Sequence, residues 1–487
     1  MKFVVKSLCI SALASILSSF AYGQISNFRH IIVIFQENRT PDNFFQGLCV
    51  PPFGSSTSCS TTPTATQYNI QTRDWLDRHS STGVTQPSPL PLVTDYDLYH
   101  MHWAWLVQCD KDINGACMMD GVGDIPCRPA SACIGVPHPQ FRYVDNSDGI
   151  LNPYLQLATQ YGWANYMFQT NQGPSFPAHQ FIFGATSAPG LKEDHAGTFA
   201  SANPLGSGNE AGCAADPGAA VQLIDAFGVE DPVNTMFPCF EHQTMSDLLD
   251  RKGISWKYYS PGPNGIWTAP NAISHICRAK GQACTGPLWH NNVDLKPADV
   301  LTDISNCQLR QVSWVIPTGD NSDHSGDTTG GGPSWVASIV NAIGNSWTNS
   351  GHQCDYWGNH TQDSTAILIT WDDWGGWYDH EPPQLLGFPE GAYQYGFRIP
   401  LIVVSAYTPV HLINNEQHDF GSMIRFVQHN FGIREGALSF ADSRATTDLT
   451  AFFKLQKAPR AFKTIIAPKG AEFFINDTRP ANDPDDE

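Results

Sequence analysis

The sequence predicts an α/β protein with a mostly parallel central sheet, helices on both faces and loop-rich insertions. Two patterns carry this. Short apolar runs rich in β-branched and aromatic residues recur along the chain, and segments with apolar residues at three- and four-residue spacing lie between them. Strands alternating with helices imply crossovers between parallel strands, and hence a sheet covered on both sides. Size is the third observation, since 487 residues suffice for one large domain with insertions or for two to three average ones.

The first 23 residues carry Lys2 and Lys6, an apolar stretch and the small-x-small site Ala21-Tyr22-Gly23, the pattern of a secretory signal peptide with a mature chain from about Gln24. No twin arginine precedes the stretch, so the general secretory route is expected, with a secreted or periplasmic product. No later segment offers about 20 uninterrupted apolar residues, so no transmembrane segment is expected. "HIIVIFQ" (30–36) reads as a strand, 54–66 as a mobile loop, 152–162 as a helix and "ANYMFQ" (164–169) as a strand. Then come a helix over 244–253, a strand over 254–260, a Pro/Gly-rich insertion over 261–297 and a strand over 312–317. A helix over 333–344, strands over 365–371 and 398–405, a helix over 421–432 and a frayed acidic tail over 479–487 complete the reading.

Lys plus Arg number 27 against 46 Asp plus Glu, a formal net charge of −19, with no basic run. Phosphate-backbone binding needs clustered cations, so nucleic acid is not an expected partner. Beyond the leader's Cys9, twelve cysteines remain. An even number in an exported chain, with no Cys-x-x-Cys spacing, points to disulfides rather than zinc. The close sets Cys109 to Cys133 and Cys277 to Cys284 invite local staples; spacing leaves the full pairing open, as it does the oligomeric state.

Three strand ends carry polar groups. After the strand at 30–36 come Glu37 and Asn38, at the carboxyl edge where open parallel sheets gather ligands. After the strand at 365–371 come Asp372 and Asp373, then Gly375-Gly376. Two adjacent carboxylates at a buried strand end repel one another unless a cation lies beside them, and the glycines permit close backbone approach. After "ANYMFQ", a Gly-Pro turn leads to Ser175 at the start of a helix-like run, where backbone N–H groups converge. A plain serine N-cap is the structural alternative. His100 and His102 in "DYDLYHMHWAW", and His324 in "TGDNSDHSGD", add further strand-end polar groups.

At these residues the chain resembles the bacterial phospholipase C and acid phosphatase family, of the alkaline-phosphatase-like superfamily of phosphoesterases. "ENRTPDNFF" is similar to its opening motif, "GPSFPAHQF" to its nucleophile turn, "SDH" to its histidine loop, and "WDDWGGWYDH" to its carboxylate signature. "FRIPLIVVSAY" and "HDFGSMIRF" match its closing segments. The resemblance implies an alkaline-phosphatase-like fold and a phosphoesterase catalytic domain over 24–478. It implies one divalent metal ion held by Glu37, Asn38, Asp372, Asp373 and Ser175, with Ser175 as the nucleophile forming a phosphoserine. His100 and His324 would contact phosphoryl oxygens or assist the leaving group, with His102 as the alternative to His100. Thr40-Pro41 and Pro177-Ala178 depart from the family pattern.

Chemistry fits the implied roles, because attack on a phosphate ester needs a cation, an activated hydroxyl and donors for the equatorial oxygens. An all-oxygen ligand set favours Ca²⁺ or Mg²⁺, with zinc the ion some superfamily relatives use. The expected substrate is a phosphate ester, either a phospholipid or, for an acid phosphatase, a soluble phosphomonoester. Trp103, Trp105, Trp374 and Trp377 would suit a lipid or choline-like group, or belong to the core. The rival of another class is a noncatalytic exported binding protein that keeps the fold.

Overall fold

Ile31-Ile32-Val33-Ile34-Phe35 has no polar position to turn toward water, so a strand built from it must be covered on both faces. In the computed structural model, which describes residues 27–206, 211–386, 393–438 and 440–480, β1 (His30–Gln36) is buried along its whole length. It lies inside an eight-stranded sheet. The other strands are β2 (Gly162–Met167), β3 (Trp256–Tyr259), β4 (Val293–Asp294), β5 (Val312–Val315), β6 (Thr365–Trp371), β7 (Leu401–Val404) and β8 (Leu412–His418). Their spatial order is β4-β3-β5-β1-β6-β7-β2-β8. Neighbours run parallel except at β7, which is antiparallel to both β6 and β2. Every residue of β6 is buried too, so both faces of the sheet centre are covered, as the sequence predicts.

Among the helices are α1 (Pro41–Phe44), α2 (His102–Cys109), α3 (Asn152–Gln160), α4 (Ser175–Gly184), α5 (Met245–Arg251), α6 (Gly332–Gly344) and α7 (Phe420–Asn430). Helix α3 packs on α6 and α4 on α7. The insertion at 261–297 is more than loop, because it supplies the edge strand β4 and short helices such as Pro287–Asn292. Strand β8 was not legible as a strand. Arg479, expected in a frayed tail, is held by Asp320 at 3.1 Å; residues 481–487 of that tail, like the expected leader, lie outside the described residues. Among the described residues no helix is long and apolar enough to cross a membrane.

All twelve cysteines of the described residues pair: Cys49–Cys59, Cys109–Cys117, Cys127–Cys133, Cys213–Cys239, Cys277–Cys284 and Cys307–Cys354. Six bridges indicate an oxidising compartment. The first pins the stretch expected to be a mobile loop. Two more staple the segment that carries a second, smaller core, in which Trp75, Leu98, Trp105, Ile125, Trp374 and Trp377 pack together. Three of the four tryptophans singled out in the sequence are therefore core; Trp103, at 37 % exposure, is the one near the surface.

Candidate active site

Strand register builds the centre of the site. Gln36 lies opposite Trp371 in the parallel β1–β6 pair, so the next residues of both strands leave the sheet side by side. Backbone bonds continue the pairing beyond the strands: Asp372 N–H donates to the Gln36 carbonyl at 2.9 Å, and Arg39 N–H to the Asp373 carbonyl at 3.1 Å. Between them Asn38 takes a positive φ of 61°, a left-handed conformation that asparagine tolerates better than most residues. Its backbone N–H donates to Asp372 Oδ1 at 3.1 Å. Glu37, Asn38, Asp372 and Asp373 thus form one buried cluster from residues 334 positions apart.

Helix α4 brings Ser175 to that cluster. The residue at the N-cap is Pro174, which makes no side-chain cap bond, and Ser175 is the first helical residue. The plain N-cap reading of Ser175 therefore does not describe this turn. Its Oγ lies 3.4 Å from Glu37 Oε2 and 3.4 Å from Asp373 Oδ2. A hydroxyl donating to a carboxylate sits closer, at about 2.5 to 2.7 Å. Two oxygens bound about 2.1 to 2.4 Å from one ion at a right angle are about 3.0 to 3.4 Å apart, which these distances match. Two buried acceptors in the cluster, Asn38 Oδ1 and Asp372 Oδ2, have no hydrogen-bond partner among the described residues. Three carboxylates, an amide oxygen and a hydroxyl, buried together, fit a divalent cation.

His100 stands at the edge of the cluster on the loop before α2. Its Nδ1 donates to the Leu98 carbonyl at 2.8 Å, which leaves Nε2 to accept from the Asn38 side-chain amide at 3.2 Å; the same nitrogen is 3.8 Å from Asp373 Oδ2. His102 faces elsewhere, with Nδ1 at 3.2 Å from the Gln172 carbonyl and burial lowering its basicity. Of the two histidines, His100 is the one beside the carboxylates. His324 is also buried; its Nδ1 lies 2.7 Å from the Ser325 carbonyl and 3.2 Å from Asp327 Oδ2, and its Nε2 4.0 Å from Asp97 Oδ2.

Three residues that the sequence left unremarked complete the surroundings. Arg39 is fully buried between the rings of Phe44 and Trp377, 5.3 and 5.5 Å from their centres, and its Nε donates to the Asp323 carbonyl at 2.9 Å. That bond ties the His324 loop to the end of β1. Asp97 lies between His100 and His324, 3.6 Å from the first. His179, one turn after Ser175 on α4, places Nε2 3.3 Å from Glu37 Oε1; its i+4 spacing from Ser175 was the signal available in the sequence. A concavity of 1230 Å³ lined by residues such as Phe53, Arg73, Tyr143 and Asp145 shares none of these residues.

The model of the phosphoesterase family matches residues 28–434. Curated relatives include the non-hemolytic phospholipase C of Pseudomonas aeruginosa, 23 % identical over 43 % of this chain and 32 % of its own length. Phospholipase C A of Mycobacterium tuberculosis is 23 % identical over 46 % of this chain and 45 % of its own. The hemolytic phospholipase C of Pseudomonas aeruginosa is 21 % identical over 63 % and 42 %. The matches thus span less than half the length of these relatives. A solved structure of a protein in the alkaline phosphatase superfamily from Vibrio parahaemolyticus aligns over 60 % of this chain and 64 % of its own, with 10 % identity and a TM-score of 0.31. The family match covers most of the chain and every strand-end group of the site, and the chain belongs to the phosphoesterase family.

Proposed function

We propose that the chain is an exported, metal-dependent phosphoesterase that cleaves phosphate esters as a phospholipase C does, with Ser175 as nucleophile and one catalytic domain over 24–478. The observation that carries this is convergence. Ser175 Oγ is equidistant from carboxylates 138 and 198 residues away, in a chain of the phosphoesterase family. The names of the curated relatives support the phospholipase C type, and the six disulfides support export.

A divalent ion held by Glu37, Asn38, Ser175, Asp372 and Asp373 would lower the pKa of the Ser175 hydroxyl and offset charge on the phosphoryl oxygens. Ser175 passes its proton to solvent, Oγ bonds to phosphorus, and the bond from phosphorus to the leaving alcohol breaks. His324 stands between Asp97 and Asp327, where an imidazolium has two anionic partners, and gives its proton to the leaving oxygen. Water then attacks the phosphoserine as His324 takes a proton from it, the Oγ–phosphorus bond breaks to release phosphate, and Oγ regains a proton from solvent. His100, with Nδ1–H committed to Leu98, holds the Asn38 amide so that Oδ1 is presented to the cluster.

The test is a parallel assay of wild type and Ser175→Ala on phosphatidylcholine vesicles, a soluble phosphodiester and a soluble phosphomonoester, with rapid acid quench to trap phosphoserine. Wild type is expected to turn over vesicles fastest and to carry label on Ser175. Ser175→Ala should lose several orders of magnitude in kcat with its fold intact. Turnover of the monoester alone would replace the lipase reading by that of a soluble acid phosphatase. Cation binding without turnover of any substrate would leave a binding protein, and a variant that keeps most of its activity would remove Ser175 from the role.

A further inference from the structure

His179 is fully buried and packed at 5.1 Å against the ring of Phe35 and, nearly parallel, at 6.4 Å against Trp267. Its two nitrogens face different chemistry. Nδ1 is 3.5 Å from the hydroxyl oxygen of Tyr258, on β3. A tyrosine hydroxyl has one proton, and that of Tyr258 goes to the Trp267 carbonyl at 2.8 Å. Toward His179 the oxygen can therefore only accept, so the proton of the neutral imidazole sits on Nδ1 and the lone pair on Nε2.

That lone pair faces Glu37 Oε1 at 3.3 Å. A bare ring nitrogen and a carboxylate oxygen are both acceptors and repel unless a proton or a metal ion lies between them. The Nε2, a Glu37 oxygen and an Asp372 oxygen all lie within 4.8 Å of one another. The 3.3 Å separation also equals, within a tenth of an ångström, the 3.4 Å from Ser175 Oγ to Glu37 and to Asp373. Ser175 and His179, at i and i+4, present both groups from one helix face.

We propose that His179 Nε2 is a nitrogen ligand of the cation site, with Tyr258 as the outer partner that fixes its tautomer. This rests on the cation reading of the proposed function and changes its chemistry, because an imidazole in an otherwise oxygen set turns the preference from Ca²⁺ or Mg²⁺ toward Mn²⁺, Fe²⁺, Co²⁺ or Zn²⁺.

The experiment strips the full chain with chelator and measures binding of Zn²⁺ and Ca²⁺ by calorimetry and of Cu²⁺ by pulsed electron paramagnetic resonance. It uses wild type, His179→Gln, His100→Gln, Tyr258→Phe and Glu37→Gln. Wild type is expected to bind one Zn²⁺ at least about 100-fold more tightly than Ca²⁺, and its Cu²⁺ form to show modulation from an imidazole nitrogen. His179→Gln should abolish that modulation and cut the Zn²⁺ to Ca²⁺ preference at least about 10-fold, Tyr258→Phe should weaken Zn²⁺ binding about 10-fold, and His100→Gln should keep the modulation. A cation whose binding is lost in Glu37→Gln but which shows no nitrogen in wild type overturns the role of His179 and leaves the cation site standing, with His179 an imidazolium paired to Glu37. Absence of any cation binding in wild type overturns both. Absence of nitrogen modulation in the wild type overturns the role of His179 even where a variant fails to fold, and modulation that persists in His179→Gln overturns it as well.

Discussion

A Cβ on Gly375 would lie 2.5 Å from the backbone oxygen of Asn38 and 2.6 Å from its Cβ. Gly375 has φ +63°, and its N–H donates to Asp373 Oδ1 at 2.7 Å. The glycine therefore lets the carboxylate turn pass directly over the end of β1 while holding one Asp373 oxygen in place. Its neighbour Gly376, at φ +71°, comes as close to Leu98 and Tyr99, the residues just before His100. Together they press the acidic turn between the Asn38 and His100 segments.

The first prediction is that Gly375→Ala separates Asn38 from Asp373. Strain at positive φ and a contact shorter than real Cβ atoms make should cost about 1 to 3 kcal/mol of stability. Bound metal and turnover should fall together, because the proposed ligands from both strands are displaced. Urea melts and elemental analysis check this; a variant with wild-type metal content and kcat would show that the close approach is incidental.

Legibility followed burial. β1 and β6 are readable to the residue, since strands covered on both faces are continuous apolar runs that stop abruptly at polar groups. β8, "LINNEQH", is half exposed and pairs with β2 alone, so it has neither a continuous run nor clean alternation. Glu37, Asn38, Ser175, Asp372 and Asp373 were visible because each sits where a strand or turn ends. His179 was not, because its place depends on Tyr258, 79 residues away on another strand. The choice between His100 and His102 likewise turned on which ring reaches Asn38, a distance in space between residues 62 positions apart.

Cysteine pairing gives the second prediction. With all twelve cysteines of 24–487 in bridges, thiol titration of exported protein under denaturing, non-reducing conditions should find none. Several reactive thiols in the exported form would contradict the pairing.

The third prediction concerns pH. Asp323 is fully buried between the end of β5 and His324, and its Oδ2 accepts from the Tyr154 hydroxyl at 2.8 Å and the Trp371 indole at 3.1 Å. Burial pushes its carboxyl up to about 7, against the opposing pull of the Tyr154 bond and the Arg39 charge. In the unfolded chain an aspartate titrates near about 3.9. The folded state therefore favours the protonated form, and this contribution is fully present below about pH 4 and lost as pH rises through about 7. Between about pH 5 and 8 the loss should amount to roughly 2 to 3 kcal/mol. Asp323→Asn keeps an acceptor for Tyr154 and Trp371 but has no charge to bury, so the fall in unfolding free energy over that range should shrink by that amount, whatever the variant's absolute stability. Urea midpoints at the two pH values decide it. An unchanged pH dependence would mean that Asp323 is already ionised in the fold at the lower pH, with Arg39 holding its charge.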